Sequence, residues 1–146
     1  MKTSFLAAVF LALVSCSSLP ESEDHTAVRR AVLDYVEAVE QARPELIERC
    51  VHADLQKFGF YRPDPGGEYS TIPMTRAQLV ELAATYKGAG YVPEDAAHSV
   101  DVFEVLDKTA SVKLTAFWGI DYMHLAKHDD SWQIVQIVWQ STPDGD

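Results

Sequence analysis

Between Val28 and Val39 the apolar side chains fall at helical intervals. Val28, Val32, Tyr35, Val36 and Val39 take one side, while Arg29, Arg30, Asp34, Glu37 and Glu40 take the other. This predicts an amphipathic helix that stops near Arg43, because Pro44 disfavours helix in the residue before it. Proline suits the first turn of a new helix, and Leu46, Ile47, Cys50 and Val51 give that second helix a narrow apolar face. His52-Ala53-Asp54 then carries the chain out of it. Thr75 followed by Gln78 has the form of a capping box, and Leu79, Leu82, Ala83 and Tyr86 supply the stripe of a third helix that Gly88 ends. Between the second and third helices lie Phe58, Phe60, Tyr61, the turn-rich Pro63-Asp64-Pro65-Gly66-Gly67, and Tyr69 to Ile72, which read as a loose hairpin or long loop.

From Ala97 onward the period changes to two. Val100, Val102 and Leu106 alternate with other residues, and Asp107-Lys108 forms a tight turn. Ala110, Val112, Leu114, Ala116 and Trp118 then share one face, with Ser111, Lys113 and Thr115 on the other. A third strand from Ile120 to Lys127 and a fourth from Trp132 to Gln140 follow, joined by His128-Asp129-Asp130-Ser131. Helices first and strands after predict an α+β domain with helices covering one face of a curved, mostly antiparallel sheet.

The N-terminus follows neither pattern. Lys2 precedes an apolar run from Phe5 to Val14, too short to span ~30 Å of hydrocarbon but suited to the core of a signal peptide. The run closes with Leu13-Val14-Ser15-Cys16, which resembles the lipobox of bacterial lipoproteins. That resemblance implies a signal peptide over residues 1–15 and a lipid on Cys16. The mature protein would then sit in the bacterial cell envelope, anchored in the membrane and facing the periplasm or exterior. An ordinary secretory signal cut near Ser18 is the alternative, and both export the chain. Residues 16–25, rich in serine and acid, are expected to form a tether, and residues 26–142 the folded domain.

Composition narrows the partners. The 146 residues carry 12 Lys and Arg against 22 Asp and Glu, a formal charge of −10. Such a chain repels a phosphate backbone unless basic residues are concentrated locally. Arg29-Arg30 is the nearest candidate, and Asp34, Glu37 and Glu40 follow it in the same helix, so no nucleic-acid partner is expected. With Cys16 lipidated, Cys50 is the remaining thiol and is read as buried and structural.

The order of helices and strands, the His52-Ala53-Asp54-Leu55 exit, the stretch from Trp118 through Asp121-Tyr122-Met123-His124-Leu125-Ala126-Lys127, and Trp132-Gln133-Ile134-Val135 together resemble the putative lumazine-binding family. That family belongs to the nuclear transport factor 2-like, or ketosteroid-isomerase-like, superfamily. The resemblance covers Thr26 to Trp139. It implies a cone whose sheet and helices enclose an apolar pocket, commonly in a homodimer that pairs through the outer sheet face.

Isomerases of this superfamily use a buried acid, whose pKa desolvation raises, for proton transfer near neutral pH. Alignment by eye puts Gly59 and Phe60 at that position, and neither moves a proton. Other candidates remain. If Met123 and Leu125 face the core, Asp121 is an acid on an apolar face; if Tyr122 and His124 look inward, they are the polar handles. His52 and Asp54 lie close enough to reach one place, although Asp54 can equally cap a turn. No nucleophile motif, Gly-rich phosphate loop or paired metal-ligand spacing accompanies them, so neither cofactor nor metal is expected. Tyr61, Tyr86, Tyr122, Trp118, Trp132 and Trp139 offer broad surfaces with polar tips for a flat aromatic ligand, although Trp132 and one of Trp118 and Trp139 are expected to be packing residues. The leading expectation is an exported, lipid-anchored domain that binds a small molecule. An interaction module without ligand and a proton-transfer enzyme of isomerase, dehydratase or cyclase type are the alternatives.

Overall fold

The computed structural model describes residues 22–144; the expected signal peptide, Cys16 and most of the expected tether lie outside them. Helix α1 spans Glu23–Gln41, with the Ser22 hydroxyl accepting a hydrogen bond from the His25 backbone N–H at its start. Its first turn is tied to the sheet by Asp24, which accepts from Lys127 Nζ at 2.7 Å and Trp132 Nε1 at 2.9 Å. The folded body therefore begins three residues before the expected boundary at Thr26. Ala42, in the left-handed region at φ 56°, ends α1, and Pro44 opens α2 (Pro44–Cys50).

Six strands follow: β1 (Val51–Tyr61), β2 (Ser70–Met74), β3 (Ser99–Val105), β4 (Thr109–Ala116), β5 (Gly119–His128) and β6 (Ser131–Gln140). Helix α3 (Arg76–Thr85) sits between β2 and β3. They form one sheet in the order β2-β1-β6-β5-β4-β3, curved and unclosed. All neighbours are antiparallel except β1 and β6, which run parallel. The helices pack on the inner face, where Val28, Val32, Tyr35 and Val36 of α1 meet Val51, Leu114, Met123, Leu125, Ile134 and Ile137 in one core. Removing the larger of these side chains to alanine costs about 2–5 kcal/mol each.

Several local expectations are corrected. The second helix ends at Cys50, and Val51 begins an 11-residue strand where an exit loop and loose hairpin were expected. Its inward positions after Val51 are Leu55, Lys57 and Gly59, a lysine and a glycine where an apolar alternation would have announced a strand. Trp118 stands in the turn between β4 and β5 and not on the face of β4. Leu106, read with Val100 and Val102 as one alternating set, is 53% exposed just past β3. Asp34 is buried, not solvated, because Arg30 and Arg49 close over it, with Arg49 Nε donating at 2.8 Å from α2. Cys50 is buried and free, and burial pushes its thiol up to about 12, which makes it inert at neutral pH.

Candidate functional site

Register sets what faces the helices. Residues opposite one another on neighbouring strands share a sheet face. One inward row therefore runs Ile72, Gly59, Trp139, Asp121, Leu114, Val100 across the six strands. The adjacent inward row runs Met74, Lys57, Ile137, Met123, Val112, Val102. Both rows are apolar apart from Gly59 and the indole of Trp139, and from Asp121 and Lys57, which are both buried. Glycine at 59 is a steric requirement, since a Cβ there would overlap the Trp139 indole.

A cavity of about 360 Å³ opens between this part of the sheet and the helices. Tyr35 and Val39 of α1 form one wall, Lys57, Tyr61, Ile72 and Met74 of the β1–β2 hairpin a second, and Trp139 the floor beside them. Leu79, Leu82 and Tyr86 come from α3 and its end, with Tyr91 and Trp118 at the rim. Helix α3 is placed by its capping box: Gln78 Oε1 accepts from the Thr75 N–H at 2.9 Å, and Thr75 Oγ1 accepts from the Gln78 N–H at 3.3 Å.

The polar groups of the cavity form one connected cluster. Lys57 Nζ donates to Tyr35 Oη at 2.7 Å and lies 5.3 Å from the ring centroids of both Tyr35 and Trp139. Asp121 Oδ1 stands 4.0 Å from the same ammonium, while Asp121 Oδ2 accepts from Trp118 Nε1 at 2.9 Å. Among the described residues neither Asp121 Oδ1 nor Trp139 Nε1 has a hydrogen-bond partner. Burial pushes the Asp121 carboxyl above the usual carboxylate range, against the pull of Lys57 and the Trp118 hydrogen bond. Burial likewise draws Lys57 below the usual amine range, against the pull of Asp121. The Tyr35 hydroxyl is held protonated well past the ordinary phenol range by burial first and the Asp121 charge second. The arrangement can donate hydrogen bonds into an apolar space and can move a proton between Lys57, Tyr35 and Asp121.

The residues singled out in the sequence fall into four places. Tyr61 and Trp118 line the cavity. Asp121 lies directly behind Trp118, fully buried, and Met123 and Leu125 are buried on its side of β5. Tyr122 and His124 consequently point out of the opposite face, Tyr122 52% exposed and His124 bonded to Gln136. His52 and Asp54 are at the far end of β1, where its register with β6 slips; the His52 ring stacks on His128, and the Asp54 side chain is 91% exposed. At the aligned isomerase position Gly59 faces inward and Phe60 outward. Lys57 and Tyr35 were not singled out as site residues; period two from Leu55 places Lys57 inward, and the α1 stripe already carries Tyr35 on its buried side. No group of three or more His, Cys, Asp and Glu is placed to hold a metal ion among the described residues.

No curated protein matches the chain. Solved structures do. A nuclear transport factor 2-like protein of unknown function from Shewanella baltica is 15% identical, with a TM-score of 0.66 over 84% of this chain and 96% of its own. One from Silicibacter pomeroyi is 19% identical, with a TM-score of 0.62 over 80% and 93%. A ketosteroid isomerase-like protein from Erwinia carotovora atroseptica is 16% identical, with a TM-score of 0.56 over 83% and 98%. At these identities the likeness is one of fold. The sequence profile of the family described as putative lumazine-binding matches residues 23–140, and on that match the chain belongs to this family, with the fold of nuclear transport factor 2-like proteins.

Proposed function

We propose that the domain binds a flat, largely apolar small molecule bearing an acceptor atom, in the cavity between α1, α3 and the β1–β6 face. The donor cluster on an otherwise aromatic and aliphatic wall carries this reading. Trp139 Nε1 lacks a partner among the described residues, and Tyr35, having accepted from Lys57, keeps its own proton to give. An unpaired buried donor costs about 1–3 kcal/mol, which a ligand acceptor recovers. The volume lies near the lower end of the roughly 300–1,000 Å³ usual for ligand pockets, and suits one or two fused rings. Lumazine, named in the family description, is a flat bicyclic dione and is the first probe to try. Calorimetric titration with it, and native mass spectrometry of protein purified from its own membrane, test the reading. A saturable heat or a retained molecule, lost in Trp139→Phe, is expected; protein that is empty and unresponsive sinks it.

The same reading has the domain exported and held to the membrane by lipid on Cys16, supported by the lipobox-like Leu13-Val14-Ser15-Cys16. Two or three acyl chains hold a protein stably where one does so only marginally. Cys16→Ser should abolish lipid labelling and free the protein, and unchanged membrane retention counts against the anchor. A second copy of the chain is the proposed partner, because the outer face of the sheet exposes a continuous apolar row. Phe58, Val138 and Tyr122 stand side by side there on β1, β6 and β5, and are 41%, 43% and 52% exposed.

A further inference from the structure

A lysine with 5% of its side chain exposed, set in the wall of an apolar cavity, is a costly placement that a purely hydrogen-bonding role does not require. A neutral donor such as asparagine or glutamine would serve that role without a buried charge. What a lysine adds is a primary amine able to bond covalently to carbon. Its surroundings supply what that chemistry needs. Tyr35 Oη at 2.7 Å is a proton relay within direct reach. Asp121 Oδ1 at 4.0 Å, without any hydrogen bond among the described residues, is an available base. The Tyr35 and Trp139 rings flank the amine and limit its hydration.

We infer that Lys57 is the nucleophile of a carbonyl-condensing site, which takes an aldehyde or ketone into the cavity and holds it as an imine on Nζ. This rests on the reading of the cavity as a small-molecule site and narrows its ligand to carbonyl compounds. The steps balance. The Lys57 ammonium gives a proton to the Asp121 carboxylate, and the free amine adds to the carbonyl carbon, whose π pair moves onto oxygen. Tyr35 passes its proton to that oxygen and recovers one from nitrogen, which leaves a neutral carbinolamine. The Asp121 proton then goes to the carbinolamine hydroxyl, the C–O bond breaks, water departs, and the nitrogen lone pair closes the C=N bond. A protonated imine remains beside a restored carboxylate, with no oxidant or reductant consumed. Burial assists the opening transfer, since it disfavours the ammonium and the carboxylate alike.

Benzaldehyde with sodium cyanoborohydride, applied to the full chain, is the test. Reductive trapping should add one benzyl group per chain, mapped by peptide mass spectrometry to Lys57 at least tenfold in preference to the exposed Lys87 and Lys108. In Tyr35→Phe the trapping rate should fall roughly a hundredfold, in the usual range for loss of a proton-transfer group. Saturable benzaldehyde binding to the unaltered chain is followed separately, by tryptophan fluorescence without reductant. Saturable binding with no label on Lys57, or label spread over lysines by exposure, overturns the imine and leaves the binding cavity standing. Absence of both binding and label overturns the two together. Because mapping is done on the unaltered chain, the result does not depend on whether Lys57→Met folds.

Discussion

At the scale of single residues, the site turns on two buried charges and a missing side chain. A Cβ at position 59 would meet the Trp139 indole, so Gly59→Ala should displace that ring, cost about 1–3 kcal/mol in urea denaturation, and abolish probe binding in the same preparation. Wild-type stability with intact binding would show that the indole moves freely. Lys57 and Asp121 make a stronger prediction. Asp121 is raised above 3.8, so the stability it contributes is complete below that pH and is lost as pH rises through its folded value. Lys57 is lowered from 10.5, so its contribution is at its worst below the folded value and recovers as pH climbs toward 10.5. Lys57→Met combined with Asp121→Asn removes both burdens and should leave the protein as stable as wild type or up to about 4 kcal/mol more so. The advantage should grow along the acid limb and shrink along the alkaline one, and a difference that is flat with pH in denaturant titrations would sink the argument. Asp121 was legible in the sequence because Met123 and Leu125 share its side of a regular strand, and Tyr61 and Trp118 because large aromatics in such a fold tend to line its interior. Lys57 was not, because a lysine in a pattern reads as a solvent position unless the strand around it has already been recognised.

Among the elements, α3 is the one whose placement matters most for the cavity, since Leu79, Leu82 and Tyr86 form part of its wall. Its reciprocal cap at Thr75 and Gln78 is a local device with a measurable worth. Thr75→Ala should cost about 1 kcal/mol in thermal or urea unfolding and should also loosen ligand binding, whereas Thr75→Asp, which can still cap, should lose much less; equal losses would mean the cap does not set the helix. This element, α1, β4 and β5 were legible because each keeps one period over its length, whereas β3 and β6 change phase at irregularities after Val102 and Ile134 and were legible only from the alternation on either side. Strand β1 was not legible as a whole. Across His52 to Leu55 its register with β6 slips, and further on its inward residues are Lys57 and Gly59, so neither burial nor regularity marks it. Its parallel place beside β6 was equally hidden, because periodicity says which way a side chain faces and nothing about which distant strand it lies beside.

As a whole the molecule offers two faces with different uses. The helices cover the inner face of the sheet, while the outer face leaves Phe58, Val138 and Tyr122 open, with the Phe60 ring edge-on to Phe58 at 5.3 Å. If this is where two copies meet, sedimentation of the full chain at tens of micromolar, a range in which common dimers persist, should show a dimer. Val138→Lys together with Tyr122→Lys should give a folded monomer. A wild-type monomer, or a charged variant that still pairs, would remove this face from consideration.

The parallel ladder between β1 and β6 has a further consequence, in time and not in space. It sets Val51 against Ile134 and Phe60 against Gln140, so the first strand of the chain has no inner neighbour until the last has been made. Helix α1, too, holds its first turn through Lys127 on β5 and Trp132 on β6. A ribosome delivering this protein from its N-terminus therefore releases apolar helices and a hairpin that have nowhere to dock, and folding waits for the final strand. Such long-range pairing is slow, on the order of milliseconds to seconds once the chain is complete. A nascent chain that cannot collapse early remains a thread, the form in which polypeptides pass through a membrane pore, and truncation before β6 should leave it permanently unfolded by circular dichroism.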